Sequence, residues 1–394
     1  MNEDKLRAWW ARKQGLDGRL AGHSPAAVLE SAGWSRSVGG VGPYLTLFSR
    51  AGIGREAADA AAGACEIHEL PAARGCTYVL PAPDFALGLK LSQGSDDQEM
   101  STAAKLGVTG AEVEKLNQAV LDALATGPMD PEELRAATGG ASRGLGEEGK
   151  KKGLATTLPL ALGRLQTLGE IRRMPVNGRL DQQRYKYTLW QPNPLASYKL
   201  AKDEAYVELA RKFFGWIAPA TLADFQAFSG LGVKAAKAAV DPLGLVPVAA
   251  GDPLLIAPAG LGELQDFELP KTPRHVLVSI IDPILHQRRG LTSLLAPQDR
   301  RHPLVVKDAK AAGGALYDLP SHAIMDRGRV VGLWEYDTET ASIAWCAFGS
   351  KDKAMAEAVK HTEAYVRDQL ADARSFSLDS PKSRAPRIAA IRAA

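Results

Sequence analysis

One stretch of the chain, residues 153–190, limits the possible folds more than any other. Apolar residues recur there at helical spacing, at Leu154, Leu158, Ala161, Leu165 and Leu168. Gly169 then predicts the end of that helix, because glycine readily takes the left-handed backbone conformation. Two strands, at 171–174 and 185–189, are predicted on either side of an Asn-Gly turn signal. The order of helix, glycine, strand, loop and strand predicts a winged helix, with the helix from Ala155 in the recognition position.

The predicted wing is basic. Its loop and strands carry Arg172, Arg173, Arg179, Arg184 and Lys186. Between Arg143 and Trp190 there are ten Lys or Arg against four Asp or Glu, although the whole chain has a net charge of only +3. Local positive charge of this kind is typical of a surface that binds the phosphate backbone of DNA. The alternative is a solvated hairpin whose cations maintain solubility, and charge alone does not separate the two.

Further basic residues precede the wing. Lys150, Lys151 and Lys152 follow a glycine-rich loop over residues 139–149, and Arg164 lies on the predicted recognition helix. If these side chains contact phosphates, removing one of them should weaken binding evenly across DNA sequences. Double-stranded DNA is therefore the expected partner of this region.

A chain of 394 residues is long enough for several domains. We predict an α+β protein of tandem winged-helix domains, three in number, followed by a small β-rich domain and a C-terminal helix. The predicted boundaries are 1–100 for a first winged-helix-like domain, 103–192 for the second with its basic wing, 200–260 for the third, 270–372 for the β-rich domain with its helix, and 373–394 for a basic tail.

Several classes of protein are disfavoured by the sequence. Its three cysteines, Cys65, Cys76 and Cys346, are far apart and form neither a zinc pattern nor a disulfide framework. The first residues have no apolar core of a signal peptide, and no apolar run reaches membrane-spanning length. Walker, dinucleotide-binding and HExxH motifs are missing from the sequence. We therefore expect a cytoplasmic, nucleoid-associated monomer with no cofactor, no metal and no membrane contact.

Four segments resemble one known family. They are ARGCTYVLPAPDF at 73–85, the Ala218–Thr221 turn followed by Asp224-Phe225, the Asp282-Pro283 pair, and DRGRVVGLW at 326–334. Together they resemble segments of the AlkZ/YcaQ-like winged-helix DNA glycosylases, and the similarity extends over nearly the whole chain. Each motif is weak singly and moderately specific in combination with the others.

The resemblance implies tandem winged helices that curve into a concave surface for duplex DNA. It also implies excision of bulky N-alkylated purines, including some interstrand crosslinks, without a metal. Characterised members position the attacking water with a Gln-X-Gln or Gln-X-Asp motif, which would fall just before Pro43. This chain has Arg36-Ser37-Val38-Gly39-Gly40-Val41-Gly42 there, with neither glutamine nor carboxylate, and Tyr78 replaces the family histidine. The resemblance thus supports DNA binding more strongly than catalysis.

An N-alkylated purine already carries positive charge, so a glycosylase needs chiefly to stabilise an oxocarbenium-like centre and to place a water. A carboxylate can do both. The catalytic candidates are Glu69 with its neighbour His68, and Asp282 before Pro283. For residues 68–69 the favoured alternative is a surface strand end, Asp282 could equally be buried and paired, and Asp84 is expected to cap a helix.

Other residues are candidates for DNA contacts. Arg74 and Tyr78 could reach a phosphate or stack near the lesion, although Tyr78 could instead pack on a strand face. Arg288 and Arg289 form a basic cluster with His286, which solvation would explain equally well. Trp334 is expected in the core of the β-rich domain.

Two functions of different class follow. The first is a DNA glycosylase that hydrolyses the N-glycosidic bond of alkylated or bulky purines. The second is a non-catalytic winged-helix protein that binds duplex or damaged DNA, with a transcription regulator as a weaker variant. The missing glutamine motif favours the second, and the matches at Arg74 and Asp282 favour the first.

Overall fold

The structure is a computed structural model and describes residues 2–305 and 316–394. Its helices are α1 (Glu3–Lys13), α2 (Pro25–Ala32), α3 (Gly42–Ala51), α4 (Arg55–Gly63), α5 (Phe85–Ser92), α6 (Asp97–Ala104), α7 (Gly110–Leu124), α8 (Pro131–Thr138), α9 (Gly146–Lys151), α10 (Leu158–Thr167), α11 (Lys202–Ile217), α12 (Leu222–Ser229), α13 (Val233–Val240), α14 (Pro258–Asp266), α15 (Pro283–His286), α16 (Lys353–Tyr365) and α17 (Pro381–Arg392). Its strands are β1 (Ser35–Arg36), β2 (Ile67–Pro71), β3 (Thr77–Pro81), β4 (Ile171–Pro175), β5 (Tyr185–Leu189), β6 (Val246–Pro247), β7 (Leu255–Ile256), β8 (His275–Val278), β9 (His322–Asp326), β10 (Arg329–Asp337) and β11 (Ser342–Ala347). Within these residues no helix has both the length and the apolar character needed to cross a membrane.

The predicted α+β class is confirmed. The first unit runs α2, β1, α3, α4, β2, β3, and its sheet has the order β1-β3-β2. Ser24 caps α2 by accepting a hydrogen bond from the Ala27 amide at 3.3 Å, and Pro25 occupies the first helical turn. Gly52 ends α3 at a φ of +69°. Local signals therefore set the ends of the helices that support the sheet.

The second unit repeats this order with α7, α8, α10, β4 and β5. An isolated bridge from Met129 to Tyr187 takes the place of a first strand. Asp130 and Glu133 form a capping box at the start of α8. The recognition-position helix begins at Leu158 rather than Ala155, and α9 lies at the end of the segment predicted as a loop. The helices and hairpin otherwise lie within a few residues of their predicted positions.

The third unit has the same plan with α11, α12, α13, β6 and β7. Ala220 forms an isolated bridge to Leu255. Thr221 and Asp224 form a capping box that starts α12, and the Thr221 hydroxyl accepts from the Asp224 amide at 3.0 Å. In all three units, the segment after the first helix pairs with the last strand.

The β-rich domain is an antiparallel sheet in the order β11-β10-β9-β8. Trp334 on β10 is fully buried, and its indole nitrogen donates to the Ala323 carbonyl at 3.2 Å. A large aromatic side chain buries much apolar area, provided that its N–H finds a partner. Trp334 thus lies in the core, as the sequence predicted.

The C-terminal segment is not the predicted basic tail. Residues 381–392 form α17, which packs on β10 and β11. Arg387 pairs with Glu335 and Asp379, both at 2.8 Å, and Arg392 pairs with Asp337 at 2.7 Å. Glu335 and Asp337 lie far from the arginines in the sequence, and Asp379 lies outside their helix. The charge pattern alone therefore gave no sign that Arg387 and Arg392 are paired with carboxylates of the protein.

The first and third units share one apolar core. The rings of Trp34 and Trp216 lie 5.5 Å apart. The indole nitrogens of Trp9 and Trp10 donate to the carbonyls of Ala218 and Pro219 at 2.9 and 3.0 Å. Buried aromatic side chains with satisfied N–H groups hold such an interface firmly. The two units are therefore packed as one body.

The loop of the β4–β5 hairpin, which the sequence predicted to be a wing, lies on the first unit. Leu180 is buried, and its amide donates to the hydroxyl of Tyr44 on α3 at 2.8 Å. Arg374 donates to the carbonyl of Asp181 at 2.6 Å and to that of Gly39 at 3.1 Å. The hairpin predicted as a free DNA-contacting wing is thus held between α3 and the C-terminal segment.

Candidate active site

A buried carboxylate lies where the wing meets the first sheet. Glu69 on β2 is only 6% exposed. Its Oε1 accepts a hydrogen bond from the Ser37 hydroxyl and its Oε2 accepts one from the Tyr185 hydroxyl, both at 2.8 Å. The hydroxyls belong to different units, because Ser37 directly follows β1 and Tyr185 begins β5. The carboxylate is therefore fixed in orientation while each oxygen keeps a lone pair free.

The sheet register explains this arrangement. Glu69 is the cross-strand partner of Val79, and the Ser37 amide donates to the Thr77 carbonyl at 3.0 Å. Side chains of paired residues, and of residues two apart, lie on one face of a sheet. Glu69, Ser37, Thr77 and Pro71 consequently share a face, and β5 approaches that face from the second unit.

Tyr185 is held as a hydrogen-bond donor. Burial raises the pKa of its phenol, and the negative charge of Glu69 raises it further. The guanidinium of Arg173 lies 4.6 Å from the centre of the tyrosine ring, a cation–π distance. The phenol is thus protonated at neutral pH and donates to the carboxylate.

A polar cavity of about 380 Å3 adjoins this face of the sheet. It is lined by Pro71, Arg74, Gly75, Thr77, Ser95, Asp96, Glu99, Gly163, Gln166, Thr167 and Arg173. Two of these residues share the face of Glu69, and Arg173 packs on the tyrosine that holds it. Its size is within the range of small-molecule sites. The cavity lies between the turn that joins β2 to β3 and the helix α10.

His68 is separated from Glu69 by the sheet. It is buried on the opposite face, and its ring lies 6.0 Å from Phe85 and 5.1 Å from Trp190 in edge-on contacts. Burial, with a smaller effect from Arg172 and Arg173, lowers the pKa of His68 to about 3. The histidine is therefore neutral and packed in the core, and we revise its predicted catalytic role.

Asp282 forms a buried ion pair. Its two oxygens accept from Nη2 and Nη1 of Arg50 at 2.7 and 2.8 Å, and both side chains are fully buried. Its Oδ1 also accepts from the Ile284 amide at 3.0 Å, which caps α15. The carboxylate thus connects α3 to the β-rich domain. This is the buried and paired alternative weighed for Asp282, so its predicted catalytic role is revised to a structural one.

Asp84 also lies inside the protein, but without the expected capping bond. It accepts from the Trp34 indole nitrogen at 2.8 Å and pairs with Lys212 of α11 at 2.7 Å. The pairing joins the first unit to the third.

The predicted DNA contacts fall into three groups: exposed, partly engaged within the protein, and buried. Arg74, Lys150, Lys151, Lys152, Arg184 and Arg289 are exposed. Lys150 and Lys151 pair with Glu147 and Glu148 on their own helix, at 2.7 and 3.0 Å. Such exposed pairs contribute little to stability and are readily exchanged for phosphate contacts. This group is accessible to a polyanion.

The second group is partly or fully engaged within the protein. Lys186 lies 3.3 Å from Glu133, and Arg164 lies 4.0 Å from Glu114. Arg179 pairs with Asp181 and donates to the Leu370 carbonyl at 3.3 Å. Arg172 and Arg173 are half-buried beside the sheet of the first unit. Arg179 in particular anchors the wing loop, which revises its predicted role.

Arg288 and Tyr78 are buried. The Arg288 guanidinium lies 3.8 Å from the centre of the Trp10 ring and donates to the Ile217 carbonyl at 3.3 Å. Burial lowers its pKa to about 10. Tyr78 is 1% exposed and packs against Trp34 and Phe228. Arg288 thus fills the interior, and stacking of Tyr78 on a base is revised to packing.

Sequence reasoning missed Ser37 and Tyr185. Ser37 does lie in the segment that corresponds to the family's glutamine motif, where it was seen only as a missing glutamine. Tyr185 was assigned only to a strand. A hydroxyl in the motif segment was the one signal available, since nothing local to Tyr185 indicates a contact with residue 69.

Comparison with known proteins agrees with this fold. A family model places the chain in the class of DNA glycosylases. The sequence matches the family described as DNA glycosylase AlkZ-like over residues 41–376. The chain therefore belongs to the AlkZ-like DNA glycosylase family, which confirms the resemblance seen in the sequence.

A solved structure has the same fold. The chain is similar to the Streptomyces sahachiroi DNA glycosylase AlkZ, with a TM-score of 0.68 and 19% sequence identity, over 95% of this chain and 98% of that one. No curated protein matches the sequence. The structural likeness establishes the fold over nearly the whole length of both chains.

Proposed function

We propose that the protein is a DNA glycosylase that removes N-alkylated purines from duplex DNA by hydrolysing the N-glycosidic bond. One observation carries the proposal: the Glu69 carboxylate is buried and held by a hydroxyl on each oxygen, on the sheet face that also contributes Pro71 and Thr77 to a polar cavity with two arginines. Membership of the family supports the reaction class. A rigid anion in a partly dry site is suited to stabilise a developing positive charge.

The proposed chemistry follows from the charge of the substrate. A purine alkylated at N7 or N3 is cationic, so it leaves with the electron pair of the C1′–N9 bond and needs no prior protonation. The Glu69 carboxylate stabilises the oxocarbenium-like sugar and accepts a hydrogen bond from a water. The water oxygen bonds to C1′, and its proton passes to the carboxylate and then to solvent. Ser37 and Tyr185 act as positioning residues, since they hold the carboxylate.

We further propose that the three units act as winged helices on one duplex. The three units share one order of elements, and in each unit the segment after the first helix pairs with the last strand. This shared plan supports the interpretation. The exposed cations of the second unit would contact the backbone in the cytoplasm, at the nucleoid. We propose that the protein acts as a monomer without metal or cofactor, because the chemistry described needs neither.

Excision by the unaltered protein tests the proposal. A duplex with one N7-methylguanine is incubated with excess protein and then heated in alkali, which cleaves the strand at abasic sites. We expect cleavage at the modified position only. If the protein binds the duplex yet leaves every alkylated purine intact, it is a DNA-binding protein without glycosylase activity. The missing glutamine motif at Arg36–Gly42 is the observation that favours this second function.

The salt dependence of binding tests the exposed cations. Lys152 and Arg184 are exposed, and neither forms an ion pair with a described residue. For Lys152→Ala or Arg184→Ala we expect the slope of log K against log salt to fall by about one, as for one lost phosphate contact. Binding is measured by fluorescence anisotropy at several salt concentrations. Arg211→Ala is the matched control, since Arg211 is exposed and lies on α11 of the third unit, paired with Glu208 at 3.3 Å, and it should leave the slope unchanged. An unaltered slope in both test variants would exclude this surface as the DNA contact.

A further inference from the structure

A second polar cluster lies where the first unit, the third unit and α15 meet. Arg36 and Tyr78 are cross-strand partners of β1 and β3, so their side chains share the sheet face opposite Glu69. The Arg36 guanidinium lies 5.3 Å from the centre of the Tyr78 ring. His286 ends α15, which packs against β1. The cluster is thus built from three separate parts of the chain.

Arg74 joins the cluster from the turn between β2 and β3. Its side chain lies against Gly230, where an added Cβ would come within 2.5 Å of the Arg74 Cγ. Gly230 also has a φ of +78° at the end of α12, so the position has two reasons to be glycine. The absence of a side chain at Gly230 in the third unit therefore leaves space for the aliphatic part of the Arg74 side chain.

Three polar atoms of the cluster are buried without a partner. They are Nη1 of Arg36, the hydroxyl of Tyr78 and Nε2 of His286, none of which forms a well-directed hydrogen bond with a described residue, although the Arg36 guanidinium lies close enough to the Tyr78 hydroxyl and the Cys76 thiol to interact with both. Tyr78 is 1% exposed, so its hydroxyl is shielded from bulk water. A buried polar group without a partner is costly, and its retention calls for an explanation such as a ligand.

The electrostatic field in the cluster is positive. Burial, and then the charges of Arg36 and Arg74, lower the pKa of His286 to about 4. Burial raises the pKa of Tyr78, and the charges of the same two arginines lower it by less, so the pKa is raised overall. Neither arginine forms an ion pair with a described residue. Two fixed positive charges with unpartnered donors favour an anion with several acceptor oxygens.

We propose that Arg36, Arg74, His286 and the Tyr78 hydroxyl form a pocket for one phosphate group. This phosphate belongs to the DNA strand that contains the target nucleotide. The proposal rests on the proposed function for the identity of the strand. Arg74 supports it, because this residue also lines the polar cavity at the turn between β2 and β3. The arginine therefore links the cluster to that cavity around the end of the sheet.

A binding experiment with altered phosphates tests this pocket. The probe is a duplex with a tetrahydrofuran abasic analogue, in which each nearby phosphate is replaced in turn by an uncharged methylphosphonate. For the unaltered protein we expect one replacement beside the analogue to weaken binding by about 10- to 100-fold. The Arg36→Gln variant should bind the duplex with normal phosphates more weakly by a similar factor. The methylphosphonate that weakens binding of the unaltered protein should then cause no further loss in this variant.

Controls separate this result from loss of folding. Arg74 is exposed, so Arg74→Gln should fold normally and give the same loss of sensitivity at the same phosphate. Arg211→Gln is the matched control, because Arg211 is exposed and, among the residues that the structure describes, pairs with Glu208 alone, on its own helix, at 3.3 Å. Melting temperatures are measured for all three variants. If the sensitive phosphate is equally sensitive in Arg36→Gln and Arg74→Gln, the pocket does not bind it and the proposal fails.

Inorganic phosphate is the other possible source of the same anion. Added at constant ionic strength, it should not raise the melting temperature of the unaltered protein more than that of Arg36→Gln. A phosphate-dependent rise confined to the unaltered protein, together with a flat methylphosphonate scan, would assign the pocket to free phosphate and overturn the proposal. None of these measurements uses excision, so a failure of the proposed function at Glu69 remains distinguishable.

Discussion

Replacing Glu69 with glutamine is expected to lower the rate of excision of N7-methylguanine by about 10²- to 10⁴-fold. The amide oxygen can keep one of the two hydrogen bonds, from Tyr185, and the amide nitrogen can donate to the Ser37 hydroxyl once that hydroxyl rotates, so the shape of the site is kept. It carries no negative charge, however, and it cannot take the proton of the attacking water. The loss should therefore appear in the single-turnover rate constant, whereas the affinity for an abasic-analogue duplex should change little.

Two further variants sharpen this prediction. Glu66→Gln is the matched control, since Glu66 is an exposed carboxylate three residues before Glu69 in the sequence. This variant should excise the modified base at the normal rate. Tyr185→Phe removes one donor and keeps the ring under Arg173, so we expect a smaller loss of about 10- to 100-fold. Full activity in Glu69→Gln, in a protein that melts normally, would remove Glu69 from the mechanism.

The second large effect is expected at Asp282, on stability rather than on chemistry. Asp282→Ala leaves the Arg50 guanidinium buried without its counter-ion and removes the cap of α15. Breaking a buried ion pair of this kind costs about 3–5 kcal/mol of the free energy of unfolding. The measurement is the urea midpoint of unfolding, with excision assayed separately at low temperature on the folded fraction.

The paired arginine supplies the control for this interpretation. Arg50→Ala should lose a similar free energy, and the double variant should lose less than the sum, because the two charges depend on each other. Folded Asp282→Ala should excise at nearly the normal rate. An unchanged urea midpoint together with a large loss of excision would instead restore Asp282 as a catalytic residue.

Local patterns in the sequence were sufficient for most of the fold. The spacing of Leu158 and Leu165, the stop at Gly169 and the Asn177 turn predicted α10 and its hairpin, because each signal acts through neighbouring residues. The capping box of Asp130 and Glu133 is of the same kind. Family membership was recognised from several short segments in a fixed order, none of which was specific alone.

Contacts between distant residues could not be predicted in this way. Leu180 reads as part of a basic loop, yet it is buried against α3 because the first unit presents the Tyr44 hydroxyl to it. The arginines of α17 suggested a tail because Glu335 and Asp337 lie some fifty residues earlier. At the candidate site, Glu69 was proposed from its chemistry, whereas Tyr185 requires knowledge of how two units dock.

The docking of the wing on the first sheet has a consequence for how the protein can be divided or modified. The groups that hold the Glu69 carboxylate come from separate folding units, so a fragment that ends before residue 103 retains the serine and loses the tyrosine. Any small rotation between the units changes the distance from the phenol to the carboxylate. Alignment of the acid therefore depends on the relative orientation of the two units, and a duplex that spans both of them would set that orientation.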